Sequence, residues 1–232
     1  MSRAMLDGRL LSAARYVRQG AVFADIGTDH GYLPIFLLKE GRVDRVIMTD
    51  INEGPLSTAR RNLADAGLLD RAELILTDGA LELSLRGVTD LSVCGMGGEL
   101  IARIIGECEF LRCEGVRLIL QPMTRHSALR RALYSMGHRP IAEHYSTAEG
   151  KSYVTFVYEY SAPSLDIDPV TAELGDMSVA SGDREDIRAY LLSRRTSLSR
   201  TLRGKRTAGR DISLEGALLN EIEMRLSELR NF

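Results

Sequence analysis

At 232 residues and 44% hydrophobic content, the chain is long enough for one α/β domain of about 150 residues plus a smaller appendage. Its 30 Lys and Arg against 32 Asp and Glu exclude a disordered chain and leave no overall charge preference, so any surface for a polyanion must be a local patch. No stretch approaches the roughly 18 apolar residues of a membrane span. Cys94, Cys108 and Cys113 lack metal-type spacing, and an odd count without a signal peptide predicts a soluble protein of the reducing cytoplasm that holds no metal.

In chain order, Leu6, Leu10, Ala13, Ala14 and Val17 recur at helical spacing before Gly20, which predicts a flanking helix. Short apolar runs then alternate with helical patterns, the signature of parallel strands joined by crossover helices. Seven strands are predicted: Val22–Ile26, Arg45–Asp50, Ala72–Thr77, Asp90–Cys94, Arg117–Gln121, Pro140–Tyr145 and Ser152–Tyr160. Helices are expected near Tyr32–Lys39, Glu53–Ala66, Gly98–Glu107 and Arg125–Met136. Ser146 to Lys151 is too short for a crossover helix, so the last two strands should pair antiparallel. A parallel sheet closed by an antiparallel strand is the Rossmann-like layout of the class I methyltransferases, whereas ordinary dinucleotide-binding sheets run parallel throughout.

Ala162 to Pro169 has linker composition and divides the chain into residues 1–161 and a helical extension, 162–232. In the extension Ile187, Leu191, Leu198 and Leu202 form one apolar stripe, and Leu214, Leu218, Ile222, Leu226 and Leu229 form another. With Gly204–Gly209 between them, they predict an antiparallel helical hairpin of coiled-coil type.

The sharpest motif is Asp25-Ile26-Gly27-Thr28-Asp29-His30-Gly31, which follows the first strand. Gly27 and Gly31 let backbone approach a ligand. Asp29 stands where nicotinamide-binding loops carry their middle glycine, and an acid there repels a diphosphate while suiting the cationic ammonium and sulfonium of S-adenosylmethionine. Asp50, followed by Ile51, ends strand two where an acid accepts ribose hydroxyls. Asp78-Gly79 follows strand three, placed to accept the adenine amino group. Gly95-Met96-Gly97-Gly98 ends strand four with room for cofactor and incoming substrate. Each has an ordinary alternative, Asp29 as a helix cap, Asp50 and Asp78 as turn residues, the glycines as a tight corner. Their placement at successive strand carboxyl ends favours one shared site.

Together with Arg9-Leu10, Gly54-Pro55-Leu56 and Gln121-Pro122, these motifs resemble the bacterial tRNA (adenine-N1)-methyltransferases of the TrmK type over the whole chain. The resemblance implies methyl transfer from S-adenosylmethionine to N1 of adenine 22 in the D-arm of tRNA. The family usually carries asparagine after the Gln-Pro; this chain has Met123. That departure keeps two alternatives open, transfer to another RNA or protein nitrogen and a catalytically idle RNA-binding scaffold.

Adenine N1 carries a free lone pair, so alignment rather than deprotonation should supply the rate. Asp29 is a candidate to stabilise the cationic product and His30 a candidate base contact, with packing beneath the loop as its alternative. Gln121 and Pro122, with Gly97 and Gly98, are candidates to shape the substrate pocket. Between Arg184 and Arg210 lie Arg188, Arg194, Arg195, Arg200, Arg203, Lys205 and Arg206 against only Glu185 and Asp186. This run predicts phosphate contacts on tRNA, of which Arg194, Arg195, Arg203 and Arg206 are the chosen candidates; a solvated helical face is the alternative.

Overall fold

Residues 6–161 and 163–229 are described by the computed structural model; Ala162, the first residue of the predicted linker, lies outside them. Among the described residues one sheet of eight strands has the order β3-β2-β1-β4-β5-β7-β6-β8. Strands β1 (Phe23–Ile26), β2 (Val46–Asp50), β3 (Ala72–Leu76), β4 (Asp90–Gly97) and β5 (Arg117–Thr124) are parallel. Strand β7 (Lys151–Tyr160) runs antiparallel to β5 and pairs with β6 (His138–Ala148) through the predicted hairpin. The eighth strand, β8 (Ala180–Ser181), is two residues on the edge of β6. It is an addition to the seven expected, too short to carry any alternation.

The inner parallel strands are largely buried on both faces because helices cover both, whereas the edge strand β3 is only partly buried. Along β5, Leu118 and Leu120 face one core and Ile119 the other; along β2, Ile47 and Met48 divide in the same way. Helices α1 (Gly8–Tyr16), α2 (Tyr32–Lys39) and α3 (Glu53–Asp65) close the face around Phe23, Leu37, Met48 and Leu63. The other face takes α4 (Gly98–Gly106) and α5 (His126–Ser135), whose Ile101, Ile105, Leu129 and Leu133 are fully buried. Full burial of one such side chain contributes about 1.5–3 kcal/mol.

Several predicted strand ends move outward: β6 gains residues at both ends and β7 begins at Lys151, and two further extensions lie beside the cavity. Strand β4 continues past Cys94 to Gly97 and β5 past Gln121 to Thr124, with irregular register at Met96. Gly95, at φ +83°, takes up the extra residue as a bulge, so a glycine run that reads as a loop remains in the ladder.

After residue 163 the chain forms α6 (Pro169–Leu174), α7 (Arg184–Thr207) and α8 (Ser213–Glu228). Asp168 caps α6 by accepting from the amides of Val170 and Thr171, so a helix begins at Pro169, the last residue of the expected linker. Helix α7 runs through Gly204 to Thr207, so the break falls nearer Gly209, whose φ of +62° reverses the chain. Ion pairs Arg195–Glu223 (3.0 Å) and Lys205–Glu215 (2.7 Å) step in opposite directions along α7 and α8, as in an antiparallel pair. Ile187, Leu191, Leu198, Leu218, Ile222 and Leu226 are buried in the same core as the sheet. A fully buried ion pair fastens this side: Arg130 donates two bonds of 2.8 Å to Glu143 and a third to the carbonyl of Ala172.

Candidate active site

A cavity of about 1170 Å³ opens at the carboxyl ends of β1 to β4, where ligands of open α/β sheets bind. The turn after β1 is built from alternating left-handed residues, Gly27 (φ +68°), Asp29 (+50°) and Gly31 (+73°). Aspartate is among the few side-chain-bearing residues that tolerate this conformation. Amides of Gly27 and Thr28 both donate to the carbonyl of Thr49, pinning the turn against β2. A Cβ on Gly31 would lie 2.7 Å from Met48 Cε. Gly31 therefore serves close packing as the residue before α2 and is not on the cavity wall.

Asp25, Gly27, Asp29, His30, Asp50, Ile51, Asp78, Gly79, Gly95 and Met96 all line the cavity. Asp25 is buried and accepts from Ser92 and Thr28. Burial pushes its carboxyl up to about 6, against the downward pull of the two hydroxyls. Asp50 spends Oδ1 on the amide of Asn52 (2.9 Å), a turn role, leaving Oδ2 available. Asp78 is paired with Arg103 at 2.9 Å, which holds its carboxyl below the usual range. Asp29 is exposed and lies 3.5 Å from His30 Nε2, and the His30 ring stacks on Tyr32. Neither residue caps α2.

The predicted substrate residues are dispersed. A Cβ on Gly98 would come within 2.5 Å of the Arg125 carbonyl, so glycine is required by the close approach of the β5–α5 turn. Neither Gly97 nor Gly98 is on the cavity wall. Gln121 is fully buried and accepts from Arg9 Nη1 (3.0 Å) and the Gly95 amide (3.2 Å), supporting the wall from behind. Pro122 lines a separate cleft. Arg194 and Arg195 are ion-paired with Glu173 (2.9 Å) and Glu223 (3.0 Å). Arg203 and Arg206 are exposed and make no ion pair among the described residues.

Sequence reasoning passed over Thr28, Asn52, Leu100 and Arg103 as wall residues, and it noted Arg9 without a site role. Only the i, i+4 pair Arg103–Glu107 was legible, and it hides the partner distant in sequence, Asp78, on the same wall. Tyr32, Ile51, Leu100 and Met123 are large apolar side chains that stay exposed on this wall. Apolar rims around convergent polar groups mark a ligand site. The donor set fits S-adenosylmethionine: carboxylates at three strand ends for sugar hydroxyls, amino groups and cationic charge, between apolar surfaces for the base. Among the described residues no group of His, Cys, Asp or Glu is arranged for a metal, and no helix is long and apolar enough to cross a membrane.

Residues 6–156 match the family model described as a methyltransferase domain. The tRNA (adenine(22)-N(1))-methyltransferase of Bacillus subtilis strain 168 is 33% identical over 176 residues, 75% of this chain and 74% of the relative. A Streptococcus pneumoniae structure in complex with S-adenosyl-L-methionine is 28% identical, covering 96% of this chain and 100% of that one, with a TM-score of 0.80. The crystal structure of the B. subtilis m1A22 tRNA methyltransferase TrmK superposes with a TM-score of 0.70 at 26% identity, covering 98% of both chains. The predicted sheet closed by an antiparallel strand is thus found, and the chain belongs to the methyltransferase-domain family and, within it, to the tRNA (adenine(22)-N1)-methyltransferases.

Proposed function

We propose that this protein is a cytoplasmic enzyme that methylates N1 of adenine 22 in the D-arm of tRNA, using S-adenosylmethionine. The observation that carries the reading is the cavity at the strand carboxyl ends, where Asp25, Asp50 and Asp78 converge inside an apolar rim. When bound, the cofactor supplies a methyl group on a sulfonium. The protein's own work is placement: Asp50 Oδ2 accepts from the ribose, and Asp78, kept ionised by Arg103, accepts from the adenine amino group. Gly95, held by Gln121, keeps the wall at the end of β4 low.

The acceptor N1 needs no base, so orientation supplies the rate. Positive charge develops on the target adenine, and the exposed Asp29 carboxylate at the mouth stabilises it. His30, stacked on Tyr32, offers an aromatic edge to the incoming base. Arg203 and Arg206 in the helical extension, residues 162–232, take phosphate oxygens. Arg194 and Arg195 act first in holding that extension together.

Met123, exposed on the cavity wall, favours one second reading, transfer to another nitrogen of RNA or protein. Incubation with bulk tRNA and labelled methyl donor, then nucleoside analysis and mapping by mass spectrometry, separates the two. The expected product is 1-methyladenosine at position 22; a label on any other nitrogen, or none on a tRNA bearing adenine 22, sinks the first reading.

A further inference from the structure

Met123 has a second side. It lines the main cavity and also a cleft of about 470 Å³ beyond it. Three distant parts of the chain meet there: Pro122, Met123 and His126 at the β5–α5 junction, Lys151 and Tyr153 at the start of β7, and Ala189 and Ser193 on α7. The two α7 residues are four apart and so share one helical face. Both are small, which leaves the cleft open beside the arginine-bearing helix.

The chemistry of the lining is selective. Among the described residues that line it, Lys151 is the one permanent charge and none is a carboxylate. Lys151 makes no ion pair among the described residues, and half-buried Tyr153 makes no side-chain hydrogen bond there. His126 lies with its ring against Phe156 and Tyr190. Burial and the nearby Arg130 and Arg194 push His126 down to about 4, so at neutral pH it presents an uncharged ring. An aromatic platform, a neutral imidazole and a single cation with no acid to repel it suit a ligand that is both flat and anionic.

We propose that this cleft seats a nucleotide adjacent to the target adenine in the RNA, with its base against Tyr153 and its phosphate on Lys151. The inference rests on the RNA reading of the main site. A base in the cleft is separated from the main cavity by Met123, so it is a neighbour of the methyl acceptor rather than the acceptor itself. Occupying the cleft holds the strand beside the mouth, next to α7, and so helps keep the target base unstacked.

The test is a cycle between protein and RNA. Wild type, Tyr153→Ala, Tyr153→Phe and Lys151→Ala are each titrated with intact tRNA and with tRNAs made abasic at the nucleotide on either side of the target. Loss of one stacked base is worth about 1–3 kcal/mol, so Tyr153→Ala should bind intact tRNA about 5- to 150-fold more weakly, with Tyr153→Phe within about two-fold of wild type. One abasic tRNA should show a similar loss with wild type and no added loss with Tyr153→Ala. Lys151→Ala should flatten the salt dependence by about one phosphate contact. Unchanged affinity for S-adenosylmethionine in each variant verifies folding. If neither abasic tRNA loses affinity for the wild-type protein, or the losses simply add, the cleft assignment is wrong while methylation stands. If wild type methylates no tRNA, the main reading falls and takes this one with it.

Discussion

Arg9, on the first helix, donates from Nη1 to the side-chain oxygen of Gln121 at 3.0 Å, across 112 residues of sequence. That same oxygen receives the amide of Gly95 at the end of β4. A residue outside the sheet thereby sets the position of the cavity wall. Replacing Arg9 with Ala leaves the buried Gln121 short of a donor, at about 1–3 kcal/mol. The expected result is a lower kcat with methyl-donor affinity weakened about 10-fold or more, and Arg9→Lys restoring only part. Isothermal titration and steady-state kinetics check it; wild-type values for Arg9→Ala would show that Gly95 does not depend on this support.

Asp50 lines the cavity and commits one carboxylate oxygen, Oδ1, to the Asn52 amide. Hydrogen bonds to charged groups contribute about 1.5–3 kcal/mol, so Asp50→Ala should weaken S-adenosylmethionine binding about 10- to 150-fold. Calorimetry measures this, and circular dichroism verifies that the sheet survives.

Asp25 links stability to pH. Its folded carboxyl titrates near 6 against an ordinary 3.8, so between about pH 4 and 6 the folded state holds more protons than the unfolded one. By linkage its contribution to stability falls as pH rises through that window and stays low above it, by about 3 kcal/mol in total. Urea unfolding at pH 4.5 and 7 should show this slope in wild type and lose it in Asp25→Asn. Identical slopes in the two proteins would place the titration elsewhere.

Arg130 and Glu143 are both fully buried and doubly bonded, with Tyr158 also donating to Glu143. Removing one partner strands the other charge, and Arg130→Met should cost about 3–5 kcal/mol in urea unfolding. The double variant Arg130→Met with Glu143→Leu should recover much of the loss, because no lone charge then remains inside.

Among the described residues Arg203 and Arg206 make no ion pair, whereas Arg194 and Arg195 are engaged. Joint replacement of Arg203 and Arg206 by Ala should reduce the slope of log affinity for tRNA against log salt by about 1.5, leaving donor binding intact. Arg194→Ala should instead lower the unfolding midpoint. The reverse pattern would move the RNA surface away from the tip of α7.

The alternation of apolar runs made β1 to β7 and their crossover helices readable, because the inner strands are buried on both faces, the edge strand β3 still carries an apolar run, and each helix is buried on one face. Helix α6 and strand β8 escaped notice since six and two residues carry no period. The ends of β4 and β5 were hidden for a different reason: glycine ordinarily weakens a strand, and only the ladder partner across the sheet shows that Gly95 bulges rather than breaks it. In the site, the acids Asp25, Asp50 and Asp78 were legible as candidates only through their shared place at strand ends, since each alone reads equally well as a turn residue, the role that Asp50 also fills toward Asn52. Gln121 and Gly98 did not. Their roles depend on Arg9 and the Arg125 carbonyl, neighbours that only folding supplies.

Helices α7 and α8 share their apolar stripes with the core beneath the sheet, and Arg225 donates to the carbonyl of Gly175 at 3.0 Å. An arm anchored this way cannot swing to meet its substrate. Under the proposed function it is a ruler: the span from the cavity mouth to Arg203 and Arg206 is set by packing, so an RNA is selected by whether its own folded shape fits a fixed length, and removing the helices would uncover the sheet before it altered selectivity.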